Sequence, residues 1–314
     1  MLVETELTRR VPAQRAFSGL AEFSSESCPN EPPECPPMIA DGVAPSLLEQ
    51  VEAEWMYRVE GGAPAHVRAA LGMSSTRLGG GVVLGMRHDP TGYWNKALGF
   101  GFEAPVDSDL VGQICEFYRS LGAPSAVLQF APSVLPDNWD EIRAAHGLEP
   151  GEVWIKMAHD LSSIGVPETD LRLAEVEPRE AARWASALLR GFDMPEEGLS
   201  DMFAVVVGQP GFRCYCARDG EEIVAVGNVL IMGDTAAMWG ASTLAPHQRR
   251  GAQSALLVTR LRVAKAAGCR LVLAETGKEA PGERNPSFHN LRKAGFAALY
   301  ERLNWVWRPS SARR

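Results

Sequence analysis

The chain has no apolar run able to span a bilayer: its longest nearly apolar stretch, Ile223 to Met232, is half the ~20 residues that a membrane helix needs. It also lacks a basic start followed by an apolar segment. The opening MLVETELTRR is not patterned as a signal peptide, which predicts a cytoplasmic protein with no membrane partner. Positive charge is not in excess. Lys+Arg number 31 and Asp+Glu 39, a net of −8, which argues against a general DNA or RNA binder. The six cysteines, at 28, 35, 115, 214, 216 and 269, form no CxxC pair and no Cys/His cluster with zinc spacing. Reduced structural thiols and no metal are expected. What remains is ordinary: 46% apolar, 22% charged and 8% aromatic residues, the profile of a soluble globular protein. A length of 314 residues suggests two domains.

Charge is uneven along the chain. Residues 1–160 carry 11 basic and 22 acidic residues, whereas 161–314 carry 20 and 17. An anionic ligand is therefore more welcome in the second half. The proline-rich stretch Ser24 to Pro37 forbids a regular element and reads as a surface loop. A softer break at Asp160 to Thr169 separates two segments that each alternate strands and helices.

The second segment predicts strands at 171–176, 211–218, 223–232, 236–244, 269–274 and 300–307. Helices are expected at 178–191, 196–207, 253–267 and 287–294, two of them ending at Gly268 and Gly295. The first segment carries a fainter copy of the later part: strands at 95–101, 125–130 and 153–158, helices at 107–121 and 140–145. SLGAPSAVLQFAP at 120–132 matches KAAGCRLVLAETG at 265–277, and AAHGL at 144–148 matches RKAGF at 292–296. Two matches in one register, offset by about 147, point to an internal duplication. Domains 1–160 and 161–314 follow.

The chemically informative run is Ala241 to Leu257. A strand ends, a basic glycine-containing turn follows, and a long helix begins. The first turn of a helix has unpaired N–H groups and a dipole that favours negative charge. A glycine lets backbone approach an oxyanion, and arginines add donors. A phosphate or pyrophosphate is the natural ligand; a solvated basic turn is the alternative. The run is neither a P-loop nor a dinucleotide fingerprint.

Gln248-Arg249-Arg250-Gly251-Ala252-Gln253 resembles the acyl-CoA motif Q/R-x-x-G-x-G/A of the GNAT superfamily of N-acyltransferases, with Gln253 where a small residue is usual. Asn285 to Phe296 resembles that superfamily's later N…N-L-x-x-x-G-F helix end. The strand and helix order of 170–307 agrees with both. The resemblance implies an α/β (α+β) protein of two GNAT-like folds in tandem, with mixed central sheets flanked by helices. The first copy is degenerate, because Asp107 and Asp109 open its helix and repel a pyrophosphate.

The resemblance further implies that acyl-CoA is a co-substrate held by Thr243, Leu244, Gln248, Arg249, Arg250, Gly251, Ala252, Gln253, Ser254, Asn285 and Asn290. His247 adds to the phosphate site. The expected cleft opens between 236–244 and 269–274, with the Leu244 N–H polarising the thioester and a hydroxyl of Ser242 or Thr243 facing substrate. Glu275 is the candidate base and His289 a weaker one. A base is useful because an alkylamine with a pKa near ~10.4 is only about one part in a thousand neutral at pH 7.4. Tyr300 is the candidate acid, since Leu291 stands where the family often has tyrosine. Tyr215, Trp239, Trp305 and Trp307 are candidates for the acceptor pocket.

The implied reaction is acyl transfer to a primary amine of a small molecule by a monomer or homodimer. A non-catalytic acyl-CoA sensor or scaffold is the alternative, motivated by Leu291 and Gln253. A transferase using an aminoacyl-tRNA donor is the third reading, and the acidic first half argues against a long RNA track.

Overall fold

A computed structural model describes residues 42–280 and 282–309; the proline-rich stretch at 24–37 lies outside them. Among the described residues twelve strands make one mixed sheet in the order β1-β2-β3-β4-β12-β5-β11-β9-β8-β7-β6, with β10 beside β8. The strands of the first half are β1 (Met73–Leu78), β2 (Gly81–Met86), β3 (Lys96–Leu98), β4 (Ala126–Gln129) and β5 (Glu149–His159). Those of the second are β6 (Arg172–Glu175), β7 (Phe212–Asp219), β8 (Glu222–Met232), β9 (Thr235–Ala237), β10 (Ser242–Thr243), β11 (Leu271–Gly277) and β12 (Ala297–Trp307).

Helices cover both faces, because central strands buried on two sides need apolar cover on each. On the front lie α1 (Pro45–Gly61), α2 (Ala65–Leu71), α5 (Ala181–Gly191) and α6 (Leu199–Ala204). They pack Trp55, Met56, Val67, Trp184, Leu188 and Phe203 over Leu84, Leu98, Trp154, Ala237 and Leu273. On the back, α3 (Ser108–Leu121) and α4 (Trp139–Ala145) cover the first half. The second half is covered there by α7 (Ala252–Ala266) and α8 (Pro286–Lys293). The likeness between the halves extends beyond its sequence trace: the order α1, α2, β1, β2 parallels α5, α6, β7, β8.

The two halves exchange their final strands. β5, which ends the first half, lies between β11 and β12 of the second. β12, which ends the second, lies between β5 and β4 of the first. Each final strand is antiparallel to both neighbours, so its hydrogen bonds are made across the repeat boundary rather than within it. The expected boundary near residue 160 falls in the irregular segment between β5 and β6.

Among the described residues no helix is long and apolar enough to cross a membrane, and no three His, Cys, Asp or Glu side chains group so as to hold a metal. Cys115, Cys214, Cys216 and Cys269 are buried free thiols.

Candidate active site

The predicted strand 236–244 is broken in two. β9 runs parallel to β11 from Leu271↔Thr235 to Leu273↔Ala237, and the Met238 N–H still reaches Leu273 O at 2.9 Å. Gly240 then takes a positive φ of 60°, which glycine adopts without strain. The chain resumes as β10, paired with β8 alone. A gap therefore opens between β10 and the last residues of β11, whose other edge is filled by β5.

At the far end of β10 a single 3₁₀ turn, Ala245–His247, leads to Gln248, Arg249 and Arg250. Gly251 (φ 75°) caps α7, and Arg249 is also left-handed (φ 62°). A Cβ at Gly251 would run into the carbonyl oxygen of Glu168. No side chain caps α7, so its first N–H groups stay directed outward. The first half differs at the matching helix: the Asp107 carboxylate accepts the Leu110 N–H at 2.8 Å and fills that place with its own charge. After β3 the space is packed by Phe100, Phe130 and Trp139.

Three expectations are corrected and one, the hydroxyl of Ser242 or Thr243, is narrowed to Thr243. The Leu244 N–H donates to Val224 O at 2.9 Å and is not available to a thioester. Strand alternation instead turns the Thr243 N–H to the gap side of β10, away from β8. Asn285 is 3% exposed and its amide is fully used. Its oxygen accepts from Ser287 N and Phe288 N as the cap of α8, and its Nδ2 donates to Thr276 Oγ1 (2.9 Å) and Gly277 O (2.7 Å).

Ser242 Oγ donates to Leu188 O at 3.0 Å, at the end of α5, so it does not face a substrate. All four aromatics proposed for an acceptor pocket are buried in the core. Tyr215 lies under the back helices of the second half, and Trp305 and Trp307 under α3 and α4. Only Trp239 is on the front, 5.4 Å from Trp55 of α1.

Gln248 and Arg249 are exposed, while Ala252 is buried at the start of α7. Gln253 has a different task from a phosphate contact. Its Nε2 donates to Ser242 O (2.6 Å) and Thr243 Oγ1 (2.9 Å), fastening α7 to β10. Arg250 is held between Asp170 and Asp219, with His247 alongside. Ser254 and Asn290 are half-buried, on α7 and α8. His289 binds Glu279 at 2.8 Å, and Leu291 is 7% exposed in the back core.

Glu275 reaches the front face into a buried charge cluster that composition could not reveal. Its Oε2 is 3.0 Å from Lys156 Nζ on β5 and 3.1 Å from Arg302 Nη2 on β12. Glu49 and Glu52 descend from α1. Arg302 binds both, with Glu52 Oε2 at 2.7 Å, and Lys156 binds Glu52 as well. Glu49, Glu52, Lys156 and Arg302 are each at most 1% exposed, and so is the Glu275 side chain. Glu275 as a residue is only half-buried, so its backbone is what borders the gap.

Burial, then the adjacent Glu52 charge, push the Glu275 carboxyl up to about 7. Burial acts on Glu52 in the same direction, but the Arg302 and Lys156 charges override it and hold Glu52 well below the usual range. Tyr300 donates to Glu49 Oε1 at 2.7 Å. Burial and that carboxylate push its phenol upward, which makes it a poor acid for a departing thiolate. The repeat carries a neutral counterpart of the ion pair: Gln129 Nε2 donates to Asn304 Oδ1 at 3.0 Å across β4 and β12.

The family model described as acetyltransferase (GNAT) family matches residues 181–296, from the first residue of α5 to the end of the α8 turn. The chain is similar to solved structures of GCN5-related N-acetyltransferases. One, from Kribbella flavida, has a TM-score of 0.54 at 15% identity over 79% of this chain and 95% of that one. Another, from Sphaerobacter thermophilus, has 0.53 at 17% over 65% and 69%. A tandem GNAT protein from the clavulanic acid biosynthesis pathway has 0.53 at 15% over 88% and 98%. At these identities the likeness shows the fold. No curated protein matches the chain.

Proposed function

We propose that the chain, whose residues 181–296 match the acetyltransferase (GNAT) family model, moves an acetyl or other acyl group from CoA to a primary amine of a small molecule by direct attack. One observation carries the reading. β10 pairs with β8 and not with β11, and α7 begins beside it without a side-chain cap at Gly251, where only a glycine fits beside Glu168.

The backbone N–H groups at Gly251 to Ser254, with Gln248 and Arg249, would hold a pyrophosphate by hydrogen bonds and the helix dipole. The cradle serves α7 on the back of the sheet, so an arm threaded through the gap delivers the acyl end to the front. Glu275, Trp239 and Trp55 lie there. With its carboxyl near 7 and its side chain buried against Lys156 and Arg302, Glu275 is suited to take the proton of an ammonium acceptor through water rather than by direct contact. Thiolate departure then proceeds without a tyrosine acid. In this reading 161–314 is the CoA-binding unit. The unit 1–160 keeps no cradle but supplies α1 and β5 to the catalytic face.

Saturating acetyl-CoA should raise the melting temperature of the protein, and thiol release should appear with members of an amine panel. Both should vanish in Gly251→Glu. The absence of any thermal shift in the unaltered protein refutes acyl-CoA binding. A second reading, an acyl-CoA sensor, is favoured by the clamp of Asp170 and Asp219 on Arg250 and by the burial of Leu291. It predicts the shift without any thiol release.

A further inference from the structure

A second polar group lies on the same front face and takes no part in the reaction just described. Lys96, at the start of β3, is 3% exposed, and its Nζ has no hydrogen-bond partner. It sits 3.3 Å from the centre of the Tyr93 ring and 5.5 Å from that of Trp154. Glu60, on the last turn of α1, is 2% exposed, with both carboxyl oxygens unpartnered. The indole N–H groups of Trp94 and Trp154 are unpartnered as well.

Each such group costs free energy comparable to a lost hydrogen bond, and an unpaired ammonium costs more. Aromatic faces ease that cost only in part. The unmet need is mostly for acceptors: of these four unpartnered groups the Lys96 ammonium and the two indoles donate, and only the Glu60 carboxyl accepts. Burial, then Asp89, push Glu60 toward its neutral form, while burial draws Lys96 down to only about 8, leaving most of it charged at neutral pH.

The position of Lys96 relates it to Glu275. Trp154 faces Gly277 across β5 and β11, and Lys156 faces Glu275 in the same ladder. Two residues of strand separate the two levels, about 7 Å. We propose that Lys96 anchors a carboxylate of the acceptor, so that the small-molecule amine is an amino acid or a related short amino carboxylate. The carboxylate would sit between the Lys96 ammonium and the indole N–H of Trp154, with the amine directed along β5 toward Glu275. This inference rests on the acyl-transfer reading.

The test compares glycine, β-alanine and 4-aminobutanoate with the corresponding amino amides as acceptors, in the unaltered protein and in Lys96→Met. With acetyl-CoA saturating, kcat/KM should be at least tenfold higher for the best amino carboxylate than for its amide. Lys96→Met should abolish that preference through KM while amide turnover and acetyl-CoA stabilisation persist. Equal use of acids and amides overturns the anchor, as does an equal loss for both in the variant. If no amine gives thiol release, the acyl-transfer reading fails separately. The anchor is then judged by thermal shift with the same acids and amides: stabilisation by the acids alone, lost in Lys96→Met, supports it, and equal shifts, the outcome for a merely hydrated pocket, overturn it. Glu60→Gln, which keeps the shape of the carboxyl, should retain the acid preference and guards against loss of fold.

Discussion

Replacing Arg302 by methionine probes the joint between the two halves. Arg302 is 0% exposed, belongs to the last strand of the second half, and binds Glu49 and Glu52 of α1 and Glu275 of β11. At an effective dielectric of about 20, each charge pair at ~4 Å is worth ~4 kcal/mol before desolvation. Removing one partner of a buried pair typically leaves a net loss of about 3–5 kcal/mol, because the surviving charges stay buried.

The loss should depend on pH. Without Arg302, only Lys156 opposes burial at Glu52, so its folded-state pKa rises, in addition to the rise already present at Glu275. A carboxyl raised in the folded state contributes stability that is full below its unfolded pKa and is lost as pH rises through the folded one. Arg302→Met should therefore fall further behind as pH rises from 5 to 8, by about 1.4 kcal/mol per unit for each extra proton held. Denaturant unfolding at pH 5.5 and pH 8 measures this. Adding Glu52→Gln should restore part of the loss, since it removes a charge that Arg302 balanced. A deficit below 1 kcal/mol, unchanged with pH and additive with Glu52→Gln, would refute the buried cluster.

The structural role of Asn285 predicts that Asn285→Ala lowers stability by about 2 kcal/mol, from the lost cap and the lost Nδ2 bonds. Its acetyl-CoA affinity, read by calorimetry, should change less than twofold; a large loss of affinity would return Asn285 to the CoA site. With the Glu275 carboxyl raised to about 7, kcat/KM should climb with pH and level off just above neutrality. Glu275→Gln should flatten that limb in a pH–rate profile, and an unchanged limb would remove Glu275 as the base.

The glycine turn at 251 and the helix after it were legible because their chemistry is local: a turn, a cap position and a run of helix formers lie within twenty residues. The repeat was legible where its copies share glycine-terminated helices, at Gly122 and Gly268. α1 left no readable signal, because its inward face mixes Glu49, Glu52 and Glu60 with Leu48, Trp55 and Met56, and acids usually mark a solvated face. The expectation for Asn285 failed because an amide suited to a ligand is equally suited to capping a helix.

The sequence by itself determined the α/β alternation, the likeness between the two segments and the glycine turn that opens α7. Each follows from neighbours along the chain. Tertiary structure alone decided that the halves trade their last strands, and that Arg302 lies against Glu49 and Glu52 some 250 residues away. Strand partners and buried charges are chosen by what lies beside them in space, where desolvation makes an unpaired charge intolerable and no local pattern records the partner.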